Sequence, residues 1–142
     1  MENQIATSAD ASLILKLYEL RQEAVLRKAR HWVLFEFWPK TVDELLAVQS
    51  STSTEQDGWL RQVVSYWEMA ASFVLHGAVN AEMFLESNGE GIHIYAKFFP
   101  LIQELRAKNG TRFMRLTGEM IEKFPQAKEK FQGFLASLSY WK

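Results

Sequence analysis

From Ile14 to Trp141, apolar residues recur three and four positions apart, and no window alternates apolar with polar residues between turn signals. That spacing lines side chains along one stripe of a helix, whereas a half-buried strand needs a period of two. The chain is therefore expected to be all-α, a helical bundle of about four longer helices with short connecting helices. No repeat at a fixed period and no shift of composition divides it. Residues 10–142 are accordingly expected to form a single helical domain behind a flexible N-terminal tail over residues 1–9.

Punctuation residues set the expected boundaries. Ser8 or Asp10 can cap a first helix carrying Ile14, Leu17, Tyr18, Ala24, Val25, Trp32 and Phe35. It is predicted to run to about Trp38, because Pro39 pushes the residue before it out of helical geometry. Thr41 and Glu44 form a capping box opening a short helix, and Thr54 or Asp57 caps a long one closed at Gly77. Asn80 caps a short helix that ends at Asn88, Gly89 and Gly91. The next helix contains Pro100, where a kink is expected, and closes at Asn109 and Gly110. Thr111 is predicted to start another, and Pro125 suits the first turn of the last.

Composition narrows the function classes. The 142 residues include no cysteine, which excludes disulfides, iron–sulfur clusters, thiolate metal sites and cysteine nucleophiles. This suits a reducing compartment, and with no secretory pattern over residues 1–12 the expected location is cytoplasmic. The longest strongly apolar run, Trp32 to Pro39, is interrupted by Glu36 and is far shorter than the roughly 20 residues a membrane span needs, so no transmembrane segment is expected. A formal charge of −1 provides no global attraction for nucleic acid, and no nucleic-acid partner is expected. Nucleophile-elbow, phosphate-loop, dinucleotide and His-Glu-x-x-His motifs are all missing, so no catalytic, cofactor or metal residue is assigned. Glu90 and His93 have a metal-ligand spacing, but as a single copy they read as a first-turn glutamate beside an ordinary histidine.

Three clusters remain as candidates. Trp32, Leu34, Phe35, Phe37 and Trp38 cannot all face one core from a single helical stripe. Trp32, Phe35, Phe37 and Trp38, next to Arg27, Lys28, Arg30 and His31, therefore form a candidate partner surface, unless the helix from Thr41 and the C-terminal Tyr140 and Trp141 cover it. Arg61, Ser65, Glu68, Ser72 and His76 make one polar stripe, with Glu68 and His76 as a candidate acid–base pocket. Arg106, Lys108, Arg112 and Arg115 bracket a turn before the amides of a new helix, a candidate anion site.

Tyr66-Trp67-Glu68-Met69, followed by Gly77-x-Val79-Asn80-x-x-Met83, Tyr95 and the helix from Phe98 to Arg106, resembles a group of bacterial helical proteins that form a domain of unknown function. The resemblance spans roughly the middle half of the chain and implies an all-α fold without implying an activity. Some of those proteins carry an N-terminal membrane helix, a pattern lacking here. The expected function is a non-enzymatic interaction or regulatory module, self-associating or docking a protein partner through the aromatic surface. The alternatives are a small-molecule binder or enzyme at Glu68 and His76, and docking at a membrane surface.

Overall fold

The computed structural model describes residues 5–138. Among them are eight α-helices, one π-helical turn and no strand: α1 (Ser8–Arg21), α2 (Ala24–His31), the π turn (Trp32–Glu36), α3 (Val42–Ser50), α4 (Glu55–Leu75), α5 (Ala81–Ser87), α6 (Glu90–Asn109), α7 (Arg115–Lys123) and α8 (Pro125–Leu138). The four longest, α1, α4, α6 and α8, are 14 to 21 residues long. Tyr140 and Trp141, considered as a cover for the aromatic surface, lie outside the described residues.

The core is built on α4 and α6. From α4 come Leu60, Val63, Trp67, Ala70, Ala71 and Val74, and from α6 Ile92, Ile94, Tyr95, Phe98, Ile102 and Leu105, all buried. α7 and α2 pack against α4, and α8 packs against α6 and α7. Locally encoded caps appear where the residue chemistry places them. Thr54 accepts from the Asp57 amide while Asp57 accepts from the Thr54 amide, at 3.2 and 2.9 Å. Asn80 accepts from Met83 N at 2.8 Å, Gly77 and Gly110 take positive φ after α4 and α6, and Pro125 opens α8.

Four boundaries differ from the expectation. α1 begins at Ser8 with Thr7 as its cap, earlier than the cap expected at Ser8 or Asp10. The single helix expected to reach Trp38 is divided: Glu23 leaves helical geometry at ψ 137, and its carboxylate accepts from the amides of Val25 and Leu26 at 3.0 and 2.8 Å, starting α2 afresh. α2 then widens into the π turn, where Phe37 N donates to Trp32 O at 2.9 Å, five residues back. α7 starts at Arg115, not Thr111. Thr111 Oγ1 instead accepts from Phe113 N at 3.0 Å in a tight turn, and Met114 is left-handed at φ 54. α6 is helical across Pro100 without interruption, with the proline exposed.

Candidate functional site

A polar network joins four helices beneath the aromatic surface. Arg30 on α2 donates Nε and Nη2 to Glu90 on α6 at 2.8–3.2 Å, in a forked geometry that matches a guanidinium to a carboxylate. Trp67 on α4 donates Nε1 to the same carboxylate at 2.9 Å. Gly91 lets α6 approach that indole, since a Cβ there would lie 3.1 Å from Trp67 atoms. Alongside, Arg21 at the end of α1 donates to Asn88 Oδ1 at 2.8 Å and Tyr66 Oη at 3.2 Å, and Tyr66 donates to Leu17 O. The Arg30 and Glu90 side chains are only 22% and 18% exposed. His93, the other half of the Glu-x-x-His pair, lies against Phe134, ring centroids 4.8 Å apart, and burial lowers its pKa below the ordinary imidazole value.

Above this network sits the face formed by α2 and the π turn. A groove of about 650 Å³ is lined by Arg27, Lys28, His31, Leu34, Phe35 and Trp59, among others. Arg27, Lys28 and His31 are exposed and form no ion pair among the described residues. The four rings of the expected partner surface divide in two. Trp32 stacks on Phe37 at 4.5 Å, and Phe37 meets Phe98 of the core edge-on at 6.0 Å. Phe35 and Trp38 stay 65% and 50% exposed. Val33 and Phe35 are two positions apart and so face opposite sides of the turn: Val33 is buried and Phe35 faces out.

Lys97 on α6 fastens the turn from below. Its ammonium donates to Val33 O and lies 3.9 Å from the centroid of the Trp38 ring, while Trp38 Nε1 donates to Phe35 O at 3.3 Å. No carboxylate pairs with it among the described residues, and burial lowers its pKa from 10.5 to about 8. Between those two values the unfolded chain binds more protons than the native one, so stability should rise with pH across that window. Allowing for the solvent that reaches the ammonium, the gain should be about 1–2 kcal/mol. Urea unfolding from pH 7.5 to 10 checks this; in Lys97→Met the rise should disappear.

Glu68 and His76 are in different settings. The Glu68 carboxylate accepts from Leu116 N, Thr117 N and Thr117 Oγ1 at 2.7–2.9 Å, capping α7. His76 is exposed, with Nδ1 2.9 Å from Ser72 O, in a groove of about 460 Å³ whose lining does not include Glu68. The helix-start amides considered for an anion are thus occupied by Glu68. Of the four basic residues around that turn, Lys108 pairs with Glu104 and Arg115 with Glu119, at 3.1 and 2.8 Å, and Arg106 donates to Tyr95 Oη at 3.0 Å. Arg112 is exposed. Among the described residues, no three His, Asp or Glu side chains are placed to share a metal ion. Lys97 and the Arg21–Tyr66–Asn88 contacts were not anticipated. For Lys97 a signal existed, because it is the one charged residue in the otherwise apolar stretch Ile94 to Phe99.

The fold defines an all-α helical-bundle protein, and no described helix is long and apolar enough to cross a membrane. The chain belongs to the family described as Domain of unknown function (DUF4760), whose family model matches residues 6–124. No curated protein and no solved structure is significantly similar to it.

Proposed function

We propose that this protein is a non-enzymatic interaction module whose face of α2 and the π turn docks an acidic, partly apolar segment of a protein partner. The observation that carries this reading is the presence of exposed Phe35 and Trp38 on the face whose groove is bordered by Arg27 and Lys28, two cations that form no ion pair among the described residues, against the single carboxylate of Glu36. Charge complementarity selects an acidic partner, and rings left half in water gain by burial against its apolar residues. A network of fixed hydrogen bonds beneath the face holds α2 in place, so little ordering is needed on binding. The absence of cysteine supports a cytoplasmic setting, and the helical family resemblance a bacterial one.

A synthetic Glu- and Leu-rich peptide, its Lys-substituted counterpart and anionic liposomes provide the test, read by amide chemical shifts and co-sedimentation. The acidic peptide should shift the resonances of Arg27, His31 and Phe35, and the shifts should weaken with salt. Reversing the charge in Arg27→Glu with Lys28→Glu should weaken binding at least about tenfold. Equal binding of both peptides, binding of liposomes alone, or a dimer that Trp38→Ala dissociates would each overturn the reading.

A further inference from the structure

We infer that the groove between α6, α7 and α8 is a binding site for a small organic carboxylate, with the anion held by Arg106 and Tyr95 and the apolar body lying against the Phe99–Phe131 pair. The site is distinct from the docking face and does not depend on it. Its volume is about 560 Å³, within the range of small-ligand sites. Phe99 and Phe131 meet edge-on at 5.0 Å, and each lies within 6 Å of the Tyr95 ring, so one end of the groove is aromatic.

The other end is polar and incompletely paired. Tyr95 is only 3% exposed, and its hydroxyl oxygen accepts from Arg106 Nη2 at 3.0 Å. A phenol also donates, and the Tyr95 proton has no acceptor among the described residues. Buried polar groups are rarely left half-satisfied, so a carboxylate oxygen placed here supplies the missing acceptor. The charges of the groove point the same way. Glu119 is taken by Arg115 at 2.8 Å and Glu122 by Lys128 at 3.6 Å, while Lys123 donates to Leu75 O at 3.4 Å. Among the described residues Arg106 donates only to the neutral Tyr95 hydroxyl, leaving its other donors for an anion.

Gly118 makes this arrangement possible. A glycine inside a helix costs roughly 0.5–1 kcal/mol relative to alanine. A Cβ at that position would fall 2.9 Å from Tyr95 Oη and 3.1 Å from Arg106 Nη2. Only glycine brings the α7 backbone against both polar groups, so helix propensity is sacrificed where they meet.

Phenylacetate is the probe, with benzyl alcohol and inorganic phosphate as controls, and amide chemical shifts and thermal unfolding as readouts. Phenylacetate should shift resonances of α6, α7 and α8 and raise the melting temperature by mass action. Arg106→Met should weaken binding at least about tenfold and Tyr95→Phe several-fold, the latter keeping the ring that packs the core. The inference is overturned if phenylacetate leaves the spectrum unchanged, if Arg106→Met binds it equally, or if either control binds as well as phenylacetate.

Discussion

Glu90→Ala should destabilise the protein by about 3 kcal/mol, a large part of the 5–15 kcal/mol that holds a typical domain together. The carboxylate removed is the shared acceptor of Arg30 and Trp67. Its loss leaves a guanidinium four-fifths out of water and an indole N–H with no acceptor. The remaining exposure of the pair keeps the cost toward the lower end for a broken buried ion pair. Urea unfolding followed by circular dichroism measures it. Replacing both partners, as Arg30→Met with Glu90→Leu, should recover most of the loss, because no charge is then stranded. A cost below about 1 kcal/mol for Glu90→Ala would place the pair with ordinary surface bridges.

Glu68→Ala should cost about 2–3 kcal/mol by a different route. α7 has a left-handed residue, Met114, where a side-chain cap usually stands, and no capping bond of its own. Glu68 supplies that cap from α4, accepting from two amides and from the buried Thr117 hydroxyl. A lost cap costs about 0.5–2 kcal/mol, and an orphaned buried hydroxyl adds about 1. Glu68→Gln, with one carbonyl oxygen left to accept, should lose roughly half as much. Hydrogen exchange locates the effect: the amides of Leu116 and Thr117 should lose protection first, while those of α6 keep theirs.

Features settled by neighbours in the chain were legible without the structure. Thr54 with Asp57, Asn80, Gly77, Gly110 and Pro125 act through bonds or backbone angles within a few residues. The division between α1 and α2 also had a local trace, in the gap between Tyr18 and Ala24 in the apolar stripe. Contacts across the chain had none. Glu68 reaches α7 across 48 residues and Arg30 reaches Glu90 across 60, and no sequence window contains either pair. The start of α7 depends on such a contact: Thr111 has the right chemistry for a cap, but the carboxylate from α4 caps the helix later. The aromatic excess from Trp32 to Trp38 was legible by counting rings against one stripe. Which two rings stay out was not, because Trp32 and Phe37 are covered in part by Trp59 and Phe98, which lie far along the chain.

α1 is joined to the bundle in an unusual proportion. Of its side chains only Leu17 is fully buried, with Leu13 and Ile14 partly so. Its other ties are polar: Asp10 to the Asn80 amide at 2.7 Å, Arg21 to Asn88 and Tyr66, and Tyr66 back to Leu17 O. Each such tie replaces a bond that the separated groups would make to water, so its net contribution is modest. Hydrogen exchange should therefore find α1 losing amide protection at a lower free energy than α4 and α6, with the break at Glu23 as the edge of the exchanging segment.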